Sequence, residues 1–451
     1  MVNSNLIKSV SFTNLNRWSV SSTLAHKMKS KYPLVSLSQV MKRIKEPILV
    51  ENDKLYKRIT VRLYGLGVLK RDELYGKDIG TKKQFIARKG QLIISRIDAR
   101  NGAFGIVPDE LDGAIVTNDF WLFDVKNAIP QYLSLVLSSQ YFQKYWGSQS
   151  SGTTNRQRVD EDDFLMSKIA LPSIDEQFDL INQYEKRVGV ANDVASEEEQ
   201  LQTSIFDYLT EALGIVETKS EPAQMFSTVK YSTIDKWGVD FLTCDRVIHN
   251  KKFPTKPIAS VCDSGSGGTP SRSVSSYYGG DIPWIKTGEV LDDIIYDTEE
   301  KITQEAINNS SAKLYPKGSI VIAMYGQGLT RGRTAKLGID ATTNQACLVL
   351  YNINTDKVLP DYLWYYLQGE YHRLRALAYG NNQPNLNAGI INNYPIVLPP
   401  IKSDNPLEVT QTAIVKEIVK RKEQIKNLKA KAKELKEEAQ KLFEEAVFGE
   451  A

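Results

Sequence analysis

Cysteine and histidine are scarce in this 451-residue chain, which has three of each. Cys244, Cys262 and Cys347 stand 18 and 85 residues apart. An odd, scattered set forms neither a disulfide framework nor a Cys-x-x-Cys metal knuckle, and it suits a reducing compartment. His26, His249 and His372 are equally dispersed, with no His-Glu-x-x-His and no His–Cys cluster, which argues against a zinc enzyme. No run of eighteen apolar residues occurs, so no membrane span is expected, and the first residues lack the apolar block of a secretory leader. A cytoplasmic protein is the expectation.

Catalytic signatures are also missing. There is no Gly-x4-Gly-Lys-Ser/Thr loop to cradle a nucleotide. Gly265-Ser-Gly-Gly268 is followed by Thr-Pro-Ser-Arg, which opens no helix, so it reads as a turn and not as a cofactor site. No Asn/Asp-Pro-Pro-Tyr/Phe tetrapeptide is present to clamp a flipped base. Pro108-Asp109 with Asp124-Val-Lys126 matches a loose nuclease pattern, but the pattern is permissive and Asp124-Val-Lys reads as the end of an apolar strand running into a turn. No catalytic, cofactor-binding or metal-binding residue is assigned, and the chain is expected to be non-catalytic.

What the chain does have is hidden in its net charge of +3. Residues 175–217 carry eleven acidic and two basic side chains, a net of −9, and residues 402–445 carry a net of +2. The remainder is therefore +10. Positive globular parts point weakly to nucleic acid.

The chain is also written twice, at an offset of about 220 to 230 residues. Phe12 to Trp18 (FTNLNRW) returns as Tyr231 to Trp237 (YSTIDKW). Lys89-Gly90 before an apolar run returns as Lys317-Gly318, Ile129-Pro-Gln-Tyr-Leu133 as Leu359-Pro-Asp-Tyr-Leu363, and Leu171-Pro172 as Leu398-Pro399. Each copy holds a mixed module, in which residues 91–95, 119–125, 320–325 and 345–351 read as short apolar strands. A helix of about forty residues follows each module.

In the last helix Ile414, Ile418, Arg421, Ile425, Leu428, Ala432, Leu435, Ala439, Leu442 and Ala446 alternate 4,3,4,3, a heptad seam. The central helix repeats the spacing through Ile181, Tyr184, Val188, Ala191, Ala195, Glu198, Gln202, Ile205, Leu209 and Ala212. Glu197, Glu198 and Glu199 lie near the middle of one helix, and Lys420, Arg421, Lys422, Lys426, Lys429, Lys431 and Lys433 fill the middle of the other. Antiparallel pairing within the chain, with the two charge blocks opposed, is expected; a parallel coil between chains is the alternative. The fold class is α+β: two repeated α/β modules separated by long helices that pair as an antiparallel coiled coil. The boundaries are 1–172 for the first module, 173–216 for the central helix, 217–401 for the second module and 402–451 for the last helix.

Both modules place basic, amide-rich loops at corresponding points. The first has Arg96, Arg100 and Asn101, then Thr153, Asn155, Arg156 and Arg158. The second has Tyr325, Thr330, Arg331 and Arg333, then Asn382, Gln383 and Asn385. Arg, Asn and Gln can bond base edges in pairs, and Thr and Lys reach phosphates. Any one of these loops could be ordinary solvated surface; recurrence in both copies favours binding. In the segment from Tyr277 to Gly288, Trp284 between Ile282 and Ile285 reads as a core anchor, leaving Lys286 and Thr287 as contact candidates.

These motifs resemble those of the specificity (S) subunits of type I restriction–modification systems. The resemblance rests on Gly279-Gly-Asp-Ile-Pro-Trp284-Ile-Lys-Thr-Gly288, Lys317-Gly-Ser-Ile-Val-Ile-Ala-Met-Tyr-Gly326, Thr343-Asn344-Gln345-Ala346, and Leu398-Pro-Pro-Ile401 before a long helix. It adds Asn344 and Gln345 to the candidates, and Arg62 and Tyr64 where the first copy departs from Gly-Gly-x-Ile-Pro-Trp. It implies two target-recognition domains, each reading half of a bipartite double-stranded DNA site. It also implies docking of two methyltransferase (M) subunits, which bind S-adenosylmethionine, and through them of restriction (R) subunits, which use ATP and Mg. No cofactor is expected on this chain. The alternatives are a coiled-coil scaffold that binds protein, or the specificity component of a related restriction system outside type I.

Overall fold

The computed structural model describes residues 30–63, 67–99, 102–143, 161–216, 249–250, 252–326, 328–378 and 385–449. The chain divides into two compact units. One holds the first module with the beginning of the central helix and the end of the last helix; the other is Ser196–Lys429.

In the first unit, strands β1 (Leu34–Ser36), β2 (Met41–Ile44), β3 (Pro47–Leu49), β4 (Leu55–Val61), β5 (Val68–Tyr75) and β6 (Lys83–Ile86) come first. Then follow β7 (Leu92–Ser95), β8 (Phe104–Ile106), β9 (Ile115–Val116), β10 (Phe120–Val125), helices α1 (Pro130–Ser138) and α2 (Glu161–Met166), and β11 (Lys168–Ala170). A sheet of order β2-β10-β7-β8 forms the middle layer, and a second sheet has the order β3-β6-β9-β4-β5. The period-2 alternation of a strand sorts the apolar residues. Leu92, Ile94, Trp121 and Phe123 pack in one core with α1, while Ile93 and Leu122 pack in another with Ala87, Val107 and Val116. Burial on both faces is why these strands read as unbroken apolar runs.

The second unit repeats the plan. Its first strands are β12 (Ile215–Val216), β13 (His249–Asn250), β14 (Thr255–Pro257), β15 (Asp263–Ser266), β16 (Tyr278–Ile285), β17 (Ile294–Ile295) and β18 (Glu300–Ile302). The remaining strands are β19 (Ile320–Ala323), β20 (Thr334–Leu337), β21 (Thr342–Thr343), β22 (Cys347–Tyr351) and β23 (Pro395–Val397). The order β15-β22-β19-β20-β17 matches β2-β10-β7-β8 with one strand added, and β14–β23 matches β1–β11. Even the parallel pair of β4 with β9 recurs as β16 with β21. Ile320 and Ile322 face one core, and Val321 and Ala323 the other. Gly90 and Gly318 both take a positive φ (78° and 89°) at the turn before β7 and β19, which explains the repeated Lys-Gly. The Trp18 and Trp237 segments lie outside the described residues.

The long helices are α3 (Ile174–Leu213) and, after α4 (Pro360–Gly369), α5 (Tyr371–Ala376) and α6 (Ala388–Asn392), α7 (Gln411–Phe448). Ser173 and Glu176 cap the start of α3 reciprocally, and Thr410 Oγ1 accepts the Ala413 N–H at the start of α7. Gly214 and Gly449, at φ 65° and 84°, follow their ends. The last helix therefore starts at Gln411, not at 402. Pro406 lacks a backbone donor, and Thr410 supplies the cap.

A buried glutamine joins each long helix to its module. Gln177 Oε1 accepts the Ile129 N–H at 2.8 Å while its Nε2 donates to the Pro172 carbonyl at 2.9 Å. Gln411 Oε1 accepts the Leu359 N–H at 2.8 Å, and its Nε2 donates to the carbonyls of Lys357 and Pro399. Beside them Tyr132 donates to the Ala170 carbonyl and Tyr362 to that of Val397.

The helices pair in opposite directions. In the first unit Leu180 and Ile181 share a core with Phe443 and Val447, and the Tyr184 and Phe443 rings lie 6.0 Å apart. In the second, Ile205, Leu209 and Leu213 share a core with Ile414, Ile418 and Ile425. Every residue of the 4,3 seam on α7 is buried or half-buried. Two expectations need correction. Gln202 is exposed and Leu201 takes its place against the core. The opposed charge blocks do not pair either: among the described residues of the second unit, no ion pair joins the two helices. Arg421 bonds Glu417 on its own helix and the Ser204 carbonyl, and it stacks 4.6 Å over Tyr208. Lys422 stacks on Trp364 and Tyr365 and bonds Gln368 Oε1. Glu197, Glu199, Lys420, Lys426 and Lys429 point to solvent, away from the seam.

Candidate nucleic-acid interface

In the second module the candidate residues gather where β16, β19 and β21 end. The Asn344 N–H donates to the Ile285 carbonyl at 2.9 Å, which sets the segment after β21 beside Lys286 and Thr287. The Met324 N–H donates to Ala346, and the Leu386 N–H to Met324, drawing in Tyr325 and the Asn385 segment. Gln345 is exposed, and its Oε1 accepts a hydrogen bond from Thr269 Oγ1. Thr269 arrives there because Gly267 and Gly268 let the chain cross against β21. A Cβ at Gly267 would lie 2.0 Å from the Thr343 carbonyl oxygen, and the Gly268 N–H bonds that oxygen. The glycine cluster is thus a close backbone crossing. Trp284 is 2% exposed and donates from Nε1 to Gly268, as a core anchor does.

Between β19 and β20 the hairpin loop carries Tyr325, Thr330, Arg331 and Arg333. Helix α5 props it: Arg375 donates to the carbonyls of Arg331 (2.8 Å) and Gly328 (2.7 Å), and Tyr371 to that of Leu329 (2.7 Å). Burial, and then the neighbouring Arg375, lower the affinity of the Arg331 guanidinium for its proton. Arg333 Nε lies 3.6 Å from Asp292. Lys286 is less free than its sequence suggests. Its ammonium bonds Glu299 at 2.8 Å and Glu300 at 3.2 Å, contacts that raise its pKa, and Glu300 also holds Arg272.

The first module builds the same corner. The Arg62 N–H closes the β4–β5 hairpin on Gly67, and its side chain is exposed. Gly67 backs onto Gly105 of β8, where a Cβ would meet it at 3.3 Å. The Arg96 N–H donates to Asp119 at 2.8 Å, and its guanidinium lies 5.4 Å from the centre of the Trp121 ring. Asp124 accepts a bond from Gln91 and Asp109 sits 3.6 Å from Lys89, so each carboxylate of the loose nuclease pattern has a structural partner.

A family model described as the type I restriction modification DNA specificity domain matches residues 29–183 and again residues 250–437. The chain belongs to that family. Each match takes in one module and part of the helix after it, in keeping with the duplication. The type I restriction enzyme MjaIX specificity subunit of Methanocaldococcus jannaschii is 29% identical over 171 residues, which is 36% of this chain and 38% of that protein. The HindI specificity subunit of Haemophilus influenzae is 21% identical over 329 residues, 63% of this chain and 69% of that one. A solved structure from work on the assembly and conformational transition of the type I R-M system shares the fold. Its TM-score is 0.56 at 17% identity, over 93% of this chain and 98% of that one. Among the described residues, no helix is long and apolar enough to cross a membrane.

Of the candidates in this specificity-family chain, Arg62 and Arg96 stand at the first corner. Lys286, Thr287, Tyr325, Thr330, Arg331, Arg333, Asn344, Gln345 and Asn385 stand at or beside the second. Tyr64, Arg100, Asn101, Thr153, Asn155, Arg156, Arg158, Asn382 and Gln383 lie outside the described residues. Sequence reasoning missed Thr269, Arg375 and Tyr371. Only the Gly-Gly-Thr-Pro turn signalled the first, and nothing local marked the two helical residues as loop supports.

Proposed function

We propose that this chain is the DNA-reading subunit of a type I restriction–modification complex. Each module reads one half of a bipartite double-stranded site, and the paired helices dock two methyltransferase subunits and, through these, restriction subunits. S-adenosylmethionine belongs to the methyltransferase and ATP with Mg to the restriction subunit; this chain contributes recognition and no bond-breaking step. One observation carries the reading. The same sheet corner recurs in two modules of a family named for DNA specificity, each time with a hairpin loop bearing arginine: Arg96 in the first, Arg331 and Arg333 in the second. Arginine and glutamine bond the edges of guanine and adenine in pairs, and neutral loops would lack both the reach and the charge. The test is methylated-motif sequencing in cells that carry Gln345→Ala. Relaxation of one half-site, with the other intact, is the expected result. Loss of both halves together would count against a division of labour between modules.

A further inference from the structure

The duplication exposes one chemical difference between the modules. In the second, the end of the central sheet is aliphatic: Met324, one residue past β19, and Leu348, second in β22, are buried with Leu386. The first module has Arg96 one residue past β7 and Trp121 second in β10. Arg43 of β2 joins them, its Cζ 5.6 Å from the ring centres of both Trp121 and Phe123. Two guanidinium groups therefore share one indole, where the other copy has Met324 for Arg96, Leu348 for Trp121 and, by strand register, Ser264 for Arg43. Arg43's side chain is 10% exposed, its Nη1 is 3.6 Å from Glu161, and its Nη2 reaches the Phe120 carbonyl at 3.4 Å. Among the described residues, Arg43 Nε and Nη1 and Arg96 Nε are buried without a hydrogen-bond acceptor. Burial, opposed by Glu161 and reinforced by Arg96, pulls the Arg43 guanidinium down to about 10.

A buried Arg43 and a half-exposed Arg96 beside it, with one carboxylate against them among the described residues, leave positive charge that a second anion would compensate. We infer that this anion is a phosphodiester of the DNA backbone, held by the half-exposed Arg96 guanidinium on a platform of Trp121 and Arg43. The inference rests on the DNA-reading function proposed above. A base edge is neutral and would leave the charge uncompensated, whereas a phosphate brings a full negative charge and accepts two parallel bonds from one guanidinium. Arg96 heads the β7–β8 hairpin and is the contact. Arg43 is a positioning residue, holding the indole that fixes the plane of Arg96.

The experiment is the salt dependence of binding by the chain reconstituted with its methyltransferase, on a duplex carrying its methylated site and on a scrambled duplex. Arg96→Ala is expected to reduce the slope of log K against log salt by about 1 and to weaken both duplexes alike. Arg96→Lys should restore the slope. Arg43→Met, which removes the charge and keeps an apolar chain of similar reach, is expected to weaken both duplexes with the unfolding midpoint unchanged or raised. A wild-type slope in Arg96→Ala, with the first half-site relaxed instead, would overturn the phosphate assignment in favour of base reading. The Arg96 slope decides this however Arg43→Met folds. Affinity unaltered in Arg43→Met would remove Arg43 from the site. Failure of the wild-type assembly to prefer its own duplex would strike the proposed function instead, since the slope comparison needs no sequence preference.

Discussion

Gln177 and Gln411 show how a single side chain can carry a joint between elements. Each amide accepts from the residue that precedes a helix of its module and donates to the carbonyl of a proline in the segment leading to its own helix, Pro172 or Pro399. Alanine at either position leaves those groups half-buried without partners, at a cost of roughly 1–3 kcal/mol for each one left unmade. Urea unfolding of Gln177→Ala and Gln411→Ala should show losses of at least that size, and Glu at either site should be worse because it buries a charge. Wild-type stability in both variants would mean that water replaces the amide. At the candidate interface of the second module, Arg375→Ala should act like a loop mutation, since two carbonyls of the β19–β20 hairpin depend on it. Its effect should fall on the second half-site in methylated-motif sequencing, and an unchanged motif would show that the hairpin needs no prop. Tyr132 and Tyr362 were visible in the sequence as a repeated Pro-x-Tyr-Leu. Gln177, Gln411 and Arg43 were not. A polar residue in a helix or short strand reads as surface until the partner that buries it is known.

The long helices were the most legible elements, because a 4,3 apolar spacing kept over many turns has few other readings. Two features were misread, both because a seam pattern fixes which face is inward and says little about the rest. Glutamate and lysine blocks at the middle of each helix looked complementary, yet Glu197, Glu199, Lys426 and Lys429 are exposed without pairing across the seam. The Leu201 for Gln202 exchange reflects the drift of a 3.6-residue helix against a 3.5-residue repeat. The energetic consequence can be measured. Glu197→Gln with Glu199→Gln should change stability by no more than about 0.5 kcal/mol, as for surface charges in general. Ile418→Ala, in the fully buried seam, should cost about 2–5 kcal/mol. A large effect of the glutamates with a small effect of Ile418 would restore charge pairing as the basis of the coil.

For the whole molecule, the repeat in sequence pointed to two like modules, and the structure extends the likeness to the sheet order and to the parallel pair β4–β9 and β16–β21, where the two sequences differ. Which loops gather at the candidate interface was less legible. That depends on which strand ends share a corner, and strand pairing distant in sequence decides it. If the helices also set the distance between half-sites, lengthening both should shift the undefined spacer of the target. Seven residues near Ala195 and seven near Leu428 keep the heptad phase and add roughly 10 Å at about 1.5 Å per residue. That is some three base pairs at about 3.4 Å each, and methylation confined to the original spacing would reduce the helices to a docking platform. The most direct test of the central claim is the methylated motif in cells carrying the wild-type chain, Gln345→Ala, or Arg156→Ala, which lies outside the described residues. The account predicts two short defined halves around a fixed undefined spacer, with Gln345→Ala relaxing one half and Arg156→Ala the other. A single unbroken motif, or equal damage to both halves by either substitution, would contradict it.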